Sequence, residues 1–177
     1  MPFTWFTGYP PPDLEIKQVY GLIFTECERL LLFIDGSGAY SLPGGTPESY
    51  DCGIEDTLRR EIIEEVNTVI GEPVIVGYQI ADEENGTPLY AQVRMTAMIR
   101  EVKPPQPDPA TGITYKRVLA TPAKAIELLK WYDTGALQVN AAVKTAREIF
   151  KIGTCSKCFD NADNADNTDN ANEEIFI

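Results

Sequence analysis

Two rhythms of apolar and polar positions run through this chain. Residues 18–24 and 29–34 are short apolar, β-rich runs separated by the polar stretch 25–28, the pattern of an antiparallel pair. Asp35-Gly36-Ser37-Gly38 predicts a turn, and Tyr40-Ser41-Leu42-Pro43-Gly44-Gly45 predicts a short strand entering a glycine-rich loop. From residue 52 to 66 the period lengthens to that of a helix. Ile54, Leu58, Ile62 and Val66 form its stripe, and Asp51 is placed to cap it. Residues 74–80 read as a strand and 82–86 as a polar connector. Residues 89–102 return to a period of two, with Val93, Met95, Ala97 and Ile99 on one face and Gln92, Arg94 and Thr96 on the other.

The stretch 103–112 holds four prolines and predicts a loop. A short strand over 115–119 follows, then a helix opened by Pro122 and running to about residue 132. A last helix is expected over 137–152. Residues 1–16, with Pro10-Pro11-Pro12, read as an extended arm laid on the body. Residues 17–153 form the folded domain. Residues 154–177 read as a disordered acidic tail, because their Asn-Ala-Asp tract has no apolar periodicity with which to offset chain entropy. That tract also lacks the glycine turn and bidentate glutamate of a calcium loop.

The chain has 177 residues, 44% of them hydrophobic. That is enough to bury a core without staples, and no apolar run is long enough to span a bilayer. The N-terminus has no basic region followed by a continuous apolar stretch, so a secretion signal is not expected. Fifteen Lys and Arg face 27 Asp and Glu, for a formal charge of −12. Such a chain is a poor non-specific binder of nucleic-acid polymers. A phosphorylated substrate would need metal cations to bridge two anions. With no histidine at all, His general bases, Ser-His-Asp triads and His-ligated zinc are excluded. Four scattered cysteines make no disulfide scaffold, and a reducing, cytoplasmic setting is the default reading. Cys155 and Cys158 have the spacing of half a zinc knuckle, but nothing completes it.

Chemistry concentrates in residues 44–68. On the predicted helix Glu61, Glu64 and Glu65 share an arc of roughly 100°. Glu65 falls between Ile54 and Leu58 on the wheel, so the glutamates border the buried stripe. Like charges half-buried together are costly without a cation. Hard oxygens at i, i+3 and i+4 suit Mg²⁺ or Mn²⁺. The plainer reading is a solvated acidic face in which Arg60 pairs with Glu64 at i+4.

Leu42-Pro43-Gly44-Gly45 followed by Arg60-Glu61-Ile62-Ile63-Glu64-Glu65 resembles the Nudix box. That pattern runs Gly, five residues, Glu, seven residues, then Arg-Glu-apolar-x-Glu-Glu-x-Gly-apolar, and Gly45 matches its opening glycine. Asp51 stands where Glu is usual, eight residues instead of seven separate it from Arg60, Asn67 replaces the closing Gly and Thr68 the apolar residue after it. The resemblance extends loosely over residues 17–152. It implies an α/β (α+β) fold, a Nudix-like α/β/α sandwich around a mixed β-sheet. It further implies that Glu61, Glu64, Glu65 and the Gly44 carbonyl hold Mg²⁺ or Mn²⁺. Glu61 serves as ligand or base, Glu64 belongs to the catalytic set, and Arg60 holds the carboxylates by ion pairing.

The implied activity is hydrolysis of the pyrophosphate bond of a nucleoside diphosphate derivative. The alternative is a nucleotide-binding sensor of the same fold. Many family members add a Glu from a later loop; residues 114–118 hold none, and Glu83, Glu84 or Asp108 are the substitutes. Arg94, Lys116 and Arg117 are the candidate substrate-binding cations. Tyr40, Tyr78 and Trp131 are candidates for stacking on a base. Neither the proline of the ADP-ribose branch, the tyrosine of the dinucleoside polyphosphate branch nor a coenzyme A motif is present. Homodimers are common in the family, and the aromatic arm could serve one.

Overall fold

The computed structural model describes residues 4–83, 86–154 and 174–177. Among them ten strands and three helices follow one another as β1 (Thr4–Thr7), β2 (Ile16–Phe24), β3 (Leu30–Ile34), β4 (Tyr40–Ser41), β5 (Gly44–Gly45), α1 (Ile54–Val66), β6 (Thr68–Ile70), β7 (Val74–Ala81), β8 (Tyr90–Val102), β9 (Lys116–Ala120), α2 (Pro122–Leu129), α3 (Tyr132–Phe150) and β10 (Glu174–Phe176). The strands join in the order β1-β7-β8-β2-β3-β9-β10, with β4 on β3, β5 on β2 and β6 on β8. Among the described residues only β2 and β8 pair in parallel, so the sheet is mixed as expected.

The central strands are buried on both faces, which is why β2 and β3 read as nearly unbroken apolar runs. On one face Val19, Ile23, Leu31, Val93 and Met95 pack against Leu58, Ile62 and Val66 of α1. On the other, Leu22, Phe24, Leu30 and Leu32 pack against Ala125 and Leu129 of α2 and Val139, Ala142 and Ala146 of α3. The chain is an α/β/α sandwich. Among the described residues no helix is long and apolar enough to cross a membrane.

Local chemistry accounts for the departures from the sequence reading. Asp51 does not cap α1: the cap is Gly53, with no side-chain bond, and the helix begins at Ile54. The Asp51 carboxylate is instead held by Arg60, Thr57 and the Glu48 amide. At the other end Asn67 takes the left-handed conformation (φ 41°) that the usual glycine would supply.

The last helix starts at Tyr132 rather than residue 137, and α2 stops at Leu129. Asp133-Thr134-Gly135 reads locally as a turn. In the fold, however, left-handed Lys130 makes the turn and the Thr134 hydroxyl bonds the Trp131 carbonyl. The N-terminal arm is tied down, because β1 pairs with β7 over residues 4–7.

The acidic tail was expected to be disordered throughout, yet its end, β10, pairs with β9. Residues 155–173, with Cys155 and Cys158, lie outside the described residues. Cys27 is disulfide-bonded, which the reading of scattered, reduced thiols did not anticipate. Cys52 is free and exposed.

Candidate active site

α1 presents Glu61, Glu64 and Glu65 beside the loop that carries β5, and a single cation organises the first two. Arg60 Nη1 donates to Glu61 Oε1 at 2.8 Å and to Glu64 Oε2 at 3.1 Å. Its Nε and Nη2 donate to the two oxygens of Asp51 at 3.1 and 3.0 Å, and Nη2 also reaches the Thr46 carbonyl at 3.0 Å. One guanidinium therefore ties helix, capping loop and β5 loop together, using the fork geometry lysine lacks. The Arg60 guanidinium holds the Asp51 carboxyl well below the usual carboxylate range. Asp51 is thus the brace of the loop, in the position where the box pattern has Glu.

Glu65 has no such help. It accepts the Gly44 amide at 2.8 Å, and no ion pair to it forms among the described residues. Burial pushes its carboxyl up to about 8; the Gly44 amide opposes this, and the charges of Glu61, Asp108 and Glu64 add to it. Glu61 is also raised, first by burial, with Arg60 pulling the other way.

Two glycines allow the loop to lie this close. A Cβ on Gly44 (φ 147°) would strike the Val19 carbonyl and the Tyr20 Cα, and one on Gly45 would strike the Glu61 carboxylate. Glycine at 44 is therefore a steric requirement of the backbone, whereas at 45 it leaves the Glu61 carboxylate its place.

Asp108 reaches the same neighbourhood from the proline-rich loop between β8 and β9. That loop is docked on α1 by Gln106 Nε2 donating to the Ile63 carbonyl at 3.0 Å and Asn67 Nδ2 donating to the Pro104 carbonyl at 2.7 Å. Asp108 Oδ1 folds the loop by accepting the Ala110 and Thr111 amides and the Thr111 hydroxyl. Glu83 bonds the Tyr90 hydroxyl at 3.2 Å, while Glu84 lies outside the described residues. Among the described residues no three His, Cys, Asp or Glu side chains converge tightly enough to hold a metal as they stand.

Arg94 lies on the opposite face of the sheet, at a cavity of about 520 Å³. It is 2% exposed. Nε donates to Gln138 Oε1 at 2.7 Å and Nη1 to the Val93 carbonyl at 3.4 Å. The cation sits 4.6 Å from the Tyr20 ring and 5.3 Å from that of Trp131. Burial lowers it to about 10, so it remains charged near neutral pH. The cavity and the glutamates are neighbours through β2, since Tyr20 pairs with Gly44 and Gly44 bonds Glu65.

The other two candidate cations are placed elsewhere. Arg117 is buried and bonds the carbonyls of Val66, Lys103 and Ile177, fastening α1, β8 and the chain end. These bonds occupy it structurally. Lys116 is exposed and lines a groove with Tyr115 and Phe176. Of the stacking candidates, Tyr78 is core, stacked on Phe6 at 5.3 Å, and Tyr40 packs against the α2–α3 core. Trp131 faces the cavity.

Sequence reasoning missed Gln138, fully buried beside Arg94. The signal was an amide on the apolar stripe of α3, one turn before Ala142 and two before Ala146.

No protein-family model matches the chain, and no curated protein matches it in sequence. Solved structures do match. The pyrophosphohydrolase BsRppH of Bacillus subtilis aligns at 16% identity over 81% of this chain and 90% of its own, with a TM-score of 0.63. The NUDIX domain of Shewanella oneidensis NrtR, solved with ADP-ribose, aligns at 21% identity over 79% and 92%, TM-score 0.54. An ADP-ribose pyrophosphatase from Streptococcus suis aligns at 20% identity over 73% and 90%, TM-score 0.51. With its mixed sheet between α1 and the α2–α3 pair, the chain has the fold of the Nudix hydrolases.

Proposed function

We propose that this protein is a divalent-metal-dependent hydrolase that cleaves the pyrophosphate bond of a nucleoside diphosphate derivative. The observation that carries the reading is the half-buried glutamate face of α1, in which Glu65 has no cation partner among the described residues. The donor set suits a hard divalent ion, because carboxylate and carbonyl oxygens are what Mg²⁺ and Mn²⁺ prefer. Glu61 and Glu64 already share one cationic nitrogen of Arg60. Glu61, Glu64, Glu65 and the Gly44 carbonyl would hold the metal. When bound, it neutralises the diphosphate, acidifies a water and stabilises the leaving phosphate.

The residues of the chain do the rest. Arg60 and Asp51 keep the glutamates and the β5 loop in register. Glu61, raised by burial with Arg60 pulling the other way, is the carboxylate that would accept a proton from water. Arg94 and the Tyr20–Trp131 cavity hold the part of the substrate that is not cleaved.

The class of the likeness supports this reading, since the solved relatives are a pyrophosphohydrolase and an ADP-ribose pyrophosphatase. A nucleotide-binding sensor is the second reading. It is favoured by the absence of three converging carboxylates among the described residues and by the NrtR domain that binds ADP-ribose.

The test is product release from a panel of nucleotide sugars, ADP-ribose, dinucleotides and oxidised nucleoside triphosphates, with Mg²⁺ or Mn²⁺. Metal-dependent cleavage that disappears in Glu65→Gln is the expected result. Equal turnover in the variant removes the site assignment, and silence with nucleotide bound transfers the reading to the sensor.

A further inference from the structure

The cavity around Arg94 has a polarity that can be derived from its hydrogen bonds. A guanidinium only donates. Since Arg94 Nε points at Gln138, that amide must turn its oxygen to the arginine, leaving its nitrogen to donate to Gln79 Oε1 at 2.9 Å. Gln79 in turn donates through Nε2 to Gln92 Oε1, and Gln92 through Nε2 to Gln18 Oε1. Four amides from β2, β7, β8 and α3 are thus oriented in one direction by the arginine at the head of the row. Each amide oxygen is engaged inside the row, and the hydrogens left over are donors.

Arg94 itself has spare donors. Its ion pairs are nil among the described residues, and Nη2 has no partner there. Among the described residues no buried side-chain nitrogen or oxygen lacks a partner, so Nη2 is open to the cavity. Tyr20 and Trp131 hold the cation over their rings, and its free N–H edge is what a ligand meets.

Resting on the nucleotide reading above, we infer that this cavity is an acceptor-selective subsite for the base of the substrate, and that it takes a 6-oxopurine in preference to adenine. An arginine edge matches the adjacent O6 and N7 acceptors of a 6-oxopurine in a bidentate pair. Adenine puts an amino donor where O6 stands, facing the Arg94 N–H edge, which has no acceptor to offer it. The volume, about 520 Å³, falls within the range of small-molecule sites. A purine ring also finds aromatic surface in Tyr20 and Trp131.

The experiment is calorimetric titration of the full chain with IMP, AMP, GMP and 7-deazaguanosine monophosphate in the presence of Mg²⁺. None of these contains a phosphoanhydride bond, so binding is read without turnover. IMP and GMP are expected to bind about tenfold or more tightly than AMP, and loss of N7 should weaken GMP by about tenfold. Arg94→Met should erase the preference. Because a buried cation is being replaced, the GMP and 7-deaza comparison on the unaltered chain stands independently of that variant. Equal or tighter binding of AMP, no binding of any of the four, or a preference that survives in folded Arg94→Met overturns the inference. Pyrophosphate cleavage with no base preference would remove this inference and leave the hydrolase. A clear IMP preference with no cleavage of any panel member would do the reverse.

Discussion

On the α1 side of the sheet two glutamates and an aspartate share one arginine while Glu65 goes without, whereas on the α2–α3 side one arginine meets no carboxylate among the described residues. The two regions meet at Tyr20 and Gly44 on adjoining strands. Each is charge-incomplete, in opposite senses. On the α1 side the shortage appears in Glu65, pushed up to about 8 by burial. On the other side it appears in Arg94, lowered to about 10 by burial. A structural core has no reason to keep either imbalance, since burying an unpaired charge costs several kcal/mol. Their adjacency suits a ligand that is anionic with metal at one end and rich in acceptors at the other.

The largest effect that could break this comparison is on turnover. Glu65→Gln should lower kcat by about 10³-fold while raising the melting temperature of the metal-free protein near pH 8, because a costly charge is gone. Loss of activity together with loss of the fold would make Glu65 a structural residue instead.

Next is Arg60→Leu, which strands three carboxylates. It should cost about 3 kcal/mol in denaturant unfolding, and Arg60→Lys should recover only part, since a lysine cannot fork between Asp51 and Glu61.

Gly45→Ala should weaken Mg²⁺ binding while costing at most about 1 kcal/mol of stability, because the new methyl displaces only the end of the Glu61 side chain. Wild-type metal affinity in a folded variant would show that the loop can yield.

A smaller effect is the pH dependence of stability. In the unfolded chain Glu65 ionises near its ordinary value of about 4.3, while in the fold it keeps its proton up to about 8. Between those values the native state binds more protons, so metal-free stability falls as pH rises. Saturating Mg²⁺, or Glu65→Gln, should flatten that slope in melting curves. An unchanged slope in the variant would place the titration elsewhere.

The smallest is Lys116→Ala. With the side chain exposed at the β9 groove, stability and KM should stay within about 0.5 kcal/mol of wild type.

The box residues were legible because their constraints are local. Glu61, Glu64 and Glu65 share a helix face by spacing alone, and Arg60 meets Glu64 at i+4 in any helix. Asn67 could be read as a left-handed terminator from its chemistry. Asp51 was misread as a cap because capping is judged over three residues, while its partner Arg60 lies nine away and is brought round by the helix. The start of α3 was misplaced for a similar reason. Asp133, Thr134 and Gly135 favour a turn in isolation, and packing against the sheet overrides them.

Arg94 and Arg117 show the same division most clearly. Both are basic residues on strands, and the sequence could only propose both as substrate-binding. In the fold, Arg117 meets three carbonyls that chain topology delivers from residues 66, 103 and 177. Arg94 meets an amide row from four separate elements and a cavity.

By itself the sequence determined the helix that bears the glutamates, the Gly-Gly approach to it and the doubly buried strands, since periodicity and steric demand act within a few residues. Which cation is free, which is satisfied, and which way each amide points were decided only by the tertiary structure, because those answers depend on partners brought together from distant parts of the chain.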